Sequence, residues 1–287
     1  MSRTQQVYKI AGPIILSALS ILISFIILQP IALHLNPNFN LLASRGIGKV
    51  AFVTMIILQL LLFLTTQSQK FLNKFLQTSL YFFKEKKWVK TFLIYFVIFF
   101  ILHSLLLVLF YFLGYAQYNP NWGNVNIGLI LKLIWGFFVV FMLAWTEELI
   151  FRGMIYQYIN QEFSKITSLF SASLIFMLAH DLTNPLNLIT KNWKLGLGLF
   201  LLGFLLNTVF AITNKLYAGM GIHAGLVFVK VVLRKARFLI IPGACLPFWL
   251  NSDLRQCLIV HILFVLLITG LLIKYRKILL NIKTPQV

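Results

Sequence analysis

The sequence predicts an all-α, polytopic membrane protein of about eight spanning helices with a polar site inside the membrane. Three observations predict it. Sixty per cent of the 287 residues are apolar and fifteen per cent are aromatic, which excludes an ordinary soluble domain. Apolar runs near the ~20 residues that cross a bilayer recur along the chain. Two of only six acidic residues, Glu147 and Glu148, stand side by side at the end of one such run.

The formal charge of +19 would suggest nucleic acid in a soluble protein. Here the basic residues fall mostly between apolar runs, so they read as topology signals and contacts to anionic lipid, with no nucleic acid as partner. Cys245 and Cys257 are too few and too isolated for a disulfide framework or a CxxC metal site.

Span 1 is expected from about Ile10 to Leu33, with Gly12-Pro13 at its start and the Asn36-Pro37-Asn38 turn after it. It is too long for a signal-peptide core and reads as a retained span. Span 2 covers roughly Val50 to Thr66. The connection that follows carries Lys70, Lys74, Lys84, Lys86, Lys87 and Lys90 against Glu85 alone. Its Phe71, Phe75, Leu76, Leu80 and Phe83 recur at helical spacing, so part of it is expected along the membrane surface. Span 3 runs from Thr91 to about Tyr115, with His103 inside it as a helix–helix hydrogen-bonding residue. The connection from Ala116 to Asn126 has no charge, which puts it outside and the lysine-rich loop in the cytoplasm. Span 4, from Ile127, then delivers the glutamates near the cytoplasmic face of a cell membrane.

Spans 5 to 8 are expected at about Ile166–Leu182, Leu195–Thr213, Tyr217–Leu233 and Cys257–Ile273. Strict alternation places Lys230, Arg234, Lys235 and Arg237 outside, against the positive-inside bias. A broken or re-entrant segment near the site, or Gly243–Asn251 dipping back, would restore it. One membrane domain results, in three parts: residues 1–126 with spans 1–3 and the basic loop, 127–233 with the polar motifs, and 234–287 with the last span and a basic tail.

Ionisable groups in or beside hydrocarbon are costly and mark candidate sites. If the helix of span 4 continues through Trp145-Thr146-Glu147-Glu148-Leu149-Ile150-Phe151-Arg152, Glu148 and Arg152 lie four apart and pair. Glu147 points about 100° away and stays free for chemistry. The bland alternative is an interfacial ion pair capping a span. Phe176 and His180 lie one turn apart on span 5. On span 7, Gly221 and Gly225 form a GxxxG pair, with His223 about 160° from each. The glycines suit close helix packing, and the imidazole turns the other way. A histidine alone in a span is more often a hydrogen-bonding residue; two on separate spans plus paired glutamates point to a site.

Glu147-Glu148-x-x-x-Arg152, Phe176-x-x-x-His180 and His223 with small neighbours resemble the three motifs of the CAAX-protease and bacteriocin-processing family. These are intramembrane endopeptidases related to the eukaryotic type II CAAX prenyl proteases. The resemblance covers roughly Phe141 to Lys230. It implies that Glu147 with His180 activates a water, that His223 polarises the scissile carbonyl, and that Glu148 and Arg152 form an orienting ion pair. The family has also been read as metal-dependent; Glu147, His180 and His223 would then be ligands of a zinc ion, an adequate set. HExxH spacing is absent, which favours metal-free glutamate chemistry with no required cofactor. One position departs from the family: the polar residue usual one turn after the third-motif histidine is Val227 here, which donates no hydrogen bond. Asn207 in span 6 and Lys230 are the nearest substitutes in the sequence.

The expected substrate is a membrane-anchored peptide or protein, prenylated or not, cleaved in the lipid bilayer. Two other classes compete with this one. A non-catalytic scaffold or peptide-toxin immunity protein of the same fold draws on the valine. A transporter with Glu147 and the histidines as a proton relay needs acidic residues over several spans, which the chain lacks.

Overall fold

The structure is a computed structural model and describes residues 69–79, 81–120, 122, 126–161, 163–181, 186–241, 246–251 and 253–279, with isolated helical positions between 15 and 34. Expected spans 1 and 2 and Cys245 lie outside the described residues, apart from those positions. The chain divides into two compact units, Met1–Lys74 and Phe75–Val287. The second unit contains all of the polar motifs.

Seven helices organise the described residues: α1 Gln69–Ser79, α2 Trp88–Phe112, α3 Ile127–Ile159, α4 Lys165–Leu178, α5 Trp193–Thr213, α6 Leu216–Ala236 and α7 Leu258–Lys274. Four of them are long and apolar enough to cross a membrane: α2, α3, α5 and α6. Their outward residues are large and apolar, among them Ile134 and Trp135, as a lipid-facing surface requires. This is an all-α integral membrane protein.

Local signals set several helix ends. The Asn126 side chain accepts from the Leu129 amide at 2.9 Å and caps α3. Ser164 does the same for α4 through the Thr167 amide at 3.2 Å. α6 ends at Arg237 in the left-handed region, φ 54°.

α2 and α6 pack in parallel and closely. A Cβ on Gly221 or Gly225 would stand 2.5 Å from the carbonyl oxygen of Phe92 or Phe96 respectively, so only glycine permits this approach. The His103 ring bonds the Leu226 carbonyl at 2.7 Å a little further along, the helix–helix role expected of it. Phe96, Phe137 and Phe228 then join α2, α3 and α6 through ring contacts. At one end, Lys215 and Tyr217 at the start of α6 both donate to Glu85. At the other, β1 Gln117–Tyr118 pairs antiparallel with β2 Leu239–Ile240. Helix direction therefore alternates, and Lys235 and Arg237 lie at the same end as the uncharged connection.

α4 departs from expectation. It has 14 residues, ~21 Å, against a hydrocarbon thickness of ~30 Å, and the chain turns into a 3-10 segment at Ala179–Asp181. The His180 ring takes the Phe176 carbonyl at 2.7 Å, a side-chain bond that competes with continued helix. The α-helix of span 5 thus stops at Leu178.

Before α7, Asp253 accepts from Lys230 at 2.7 Å and from Arg255 at 2.6 Å. Burial alone would raise its carboxyl, but the Arg255 hydrogen bonds and the Lys230 charge hold it well below the usual carboxylate range. A depressed carboxyl stabilises the fold above its unfolded pKa and loses that contribution as pH falls. Asp253→Asn is therefore expected to melt lower than wild type at pH 7. The gap should narrow below about pH 4 in parallel thermal melts.

Candidate active site

Glu147 and Glu148 close the α-helical part of α3. The next eight residues, Leu149–Tyr156, wind as a π-helix before the α-helix resumes at Gln157–Ile159. Such wider turns inside α-helices frequently sit at functional sites. All residues from Ile150 to Tyr156 are buried, so this stretch lies in the bundle core and does not line the lipid.

Arg152 and Glu148 form the expected i,i+4 pair, Nη1 to Oε1 at 3.1 Å, with both side chains buried. The second arm of the guanidinium, Nη2, donates to the Gly203 carbonyl on α5 at 3.2 Å. The Phe176 ring centroid lies 4.7 Å from the guanidinium carbon, a cation–π contact in a desolvated setting. Phe176 is fully buried and also packs on the His180 ring, centroids 4.5 Å apart. One side of the motif is therefore held from α3, α4 and α5 together.

Glu148 Oε1 also faces His223 Nδ1 on α6 at 3.3 Å. Gly219, one turn earlier on α6, makes room for this carboxylate: a Cβ there would stand 2.5 Å from Glu148 Oε2. Glu147 is the more exposed of the two glutamates. Its Oε2 stands 3.9 Å from His180 Nε2 and 3.8 Å from His223 Nε2. Those spacings exceed a direct hydrogen bond and match groups that share one water.

The tautomers follow from the partners. His180 Nδ1–H donates to the Phe176 carbonyl, so in the neutral ring Nε2 presents a lone pair toward Glu147. His223 Nδ1–H donates to the buried Glu148 carboxylate, which turns its Nε2 toward Glu147 as well. A chain of contacts runs Arg152–Glu148–His223–Glu147–His180.

Glu147, Glu148, Arg152, Phe176, His180 and His223 thus come together. Asn207 does not join them: it is fully buried on α5, its amide donating to Ser173 Oγ at 2.9 Å, and its Oδ1 has no partner among the described residues. Lys230 is engaged with Asp253. Among the described residues no group of three His, Cys, Asp or Glu side chains is arranged to hold a metal ion. Sequence reasoning missed Gly219 and Gly203. Gly219 had a signal, as a small residue one turn before His223 on the same helix face. The Gly203 carbonyl had none.

Residues 128–229 match the family model described as type II CAAX prenyl endopeptidase Rce1-like. The match opens in the first turn of α3 and closes within α6, and it spans all six residues that come together. No curated protein and no solved structure matches the chain.

Proposed function

We propose, with an Rce1-like domain at residues 128–229 as the premise, that this protein is an intramembrane endopeptidase that hydrolyses peptide bonds of membrane-associated proteins or peptides. Its catalytic core is residues 127–233. The observation that supports this reading is the position of Glu147 Oε2 between two imidazole nitrogens at 3.8 and 3.9 Å. A carboxylate and an unprotonated imidazole nitrogen at that spacing hold one water and accept its proton.

In this mechanism a water bonds Glu147 Oε2 and His180 Nε2. It attacks the scissile carbonyl carbon as Glu147 takes its proton. His223, when it carries both ring protons, donates Nε2–H to the oxyanion. Glu148, paired with Arg152, holds the His223 ring through Nδ1. Collapse of the tetrahedral intermediate expels the amine, which takes the proton from Glu147. The early end of α4 gives an extended substrate a place to present its carbonyl, because a helical substrate hides it. Lys84, Lys86, Lys87, Lys90 and Lys215 gather at the end of the bundle where α2 and α6 begin. By the positive-inside rule we assign that end, and the site nearer to it, to the cytoplasm.

Val227 supplies no donor for the oxyanion, so turnover is expected to be slow. One missing oxyanion donor costs ~10²–10³ in rate. The test is cleavage of a membrane-embedded reporter peptide by the full chain in liposomes. Wild type is expected to cleave slowly and Val227→Asn faster, by up to that factor. Folded protein with no cleavage in either form would favour the non-catalytic scaffold instead.

A further inference from the structure

A second feature lies on the same face of α6, beyond His223. Val227 and Lys230, at one-turn intervals from that histidine, line a cavity of 290 Å³ between α2, α6 and α7. Its walls are apolar apart from His103, Lys230 and Arg255. Leu105 and Leu109 of α2 and Leu263 of α7 line it and are also exposed on the outer surface, at 58%, 43% and 37%. The cavity therefore opens sideways through an apolar outer surface.

The charge at its rim is unbalanced. Lys230 Nζ bonds Asp253 Oδ1 at 2.7 Å, and Arg255 bonds both oxygens of the same carboxylate. Two cations share one anion, which leaves one positive charge beside hydrocarbon, a costly arrangement without a counter-charge. Both cationic side chains are more than a third exposed and can turn to a ligand. His103 is already committed to the Leu226 carbonyl.

We propose that this cavity binds one anionic phospholipid, its acyl chain against Leu106 and Leu263 and its phosphate on Lys230 and Arg255. The lateral opening selects an acyl chain over a water-soluble ligand. The surplus charge selects an anionic head over a zwitterionic one, and arginine supplies the paired donors that phosphate takes. The volume, roughly that of ten waters, admits part of one chain. This site is independent of whether Glu147 catalyses anything.

The test uses the full chain, purified in detergent and stripped of lipid, in thermal melts. The probes are dioleoyl phosphatidylglycerol, dioleoyl phosphatidylcholine and inorganic phosphate. Phosphatidylglycerol well above its Kd is expected to raise the Tm roughly 5 °C or more beyond phosphatidylcholine. Phosphate alone should give no such rise. Lys230→Gln with Arg255→Gln should remove the difference, and so should Leu106→Trp, which fills the cavity without touching charge. If the charge variant does not fold, the Leu106→Trp result decides. Equal shifts from the two lipids, a full shift from phosphate alone, or an undiminished difference in Leu106→Trp would overturn the proposal.

Discussion

Glu147→Gln is expected to leave the protein folded and to lower reporter cleavage by ~10²–10⁴, the usual contribution of a positioned general base. The amide keeps the size of the side chain but cannot take a proton from water. Glu147 is partly exposed and makes no contact to His180 or His223 shorter than 3.8 Å, so its charge carries little of the packing. Glu148→Gln should behave differently. That carboxylate is buried, pairs with Arg152 at 3.1 Å and faces His223 at 3.3 Å, so its loss should lower the melting temperature as well as the activity. The neighbouring glutamates are thus separable by two readouts. The gain expected from Val227→Asn should vanish when Glu147→Gln is added. A Glu147→Gln protein that still cleaves at the wild-type rate would remove this residue from the chemistry.

How much of the fold and site was legible in the sequence varies by element. The long apolar runs announced α2, α3, α5 and α6 because hydropathy and length suffice for a lipid-facing helix. The Glu148–Arg152 pair followed from i,i+4 spacing, and the GxxxG row correctly gave a close-packing face with His223 turned away. The winding of Leu149–Tyr156 was not legible. A π-turn differs from an α-turn by one residue, and no periodicity in eight apolar-rich positions records it. The stop of α4 at Leu178 was also hidden, because it coincides with the bond from the His180 ring to the Phe176 carbonyl, which spacing alone does not announce. The two-residue ribbon of β1 and β2 fixes which end α6 reaches, yet pairs so short leave no alternation to read. Close contacts across helices, such as Gly219 on Glu148 and the Gly203 carbonyl on Arg152, belong to tertiary packing alone.

Arg152→Met is expected to be the most destabilising single change at this site. The methionine keeps much of the apolar length but removes the charge from a fully buried position. Glu148 is then left as a buried carboxylate with His223 as its remaining partner, and the Gly203 carbonyl and the Phe176 ring lose their cation. Breaking a buried pair from one side typically costs ~3–5 kcal/mol, because the surviving charge stays desolvated. In a chain of this size that corresponds to a drop on the order of 10 °C in melting temperature. Arg152→Lys should fall in between, since an ammonium keeps the charge but cannot reach Glu148 and Gly203 with two arms of one plane. Adding Glu148→Gln to Arg152→Met should restore part of the loss, as a neutral amide needs no counter-charge. Thermal melts of the four proteins in one detergent measure this order. If Arg152→Met melts with wild type, the buried pair contributes nothing to the fold, and the role of Glu148 in holding His223 has to be sought elsewhere.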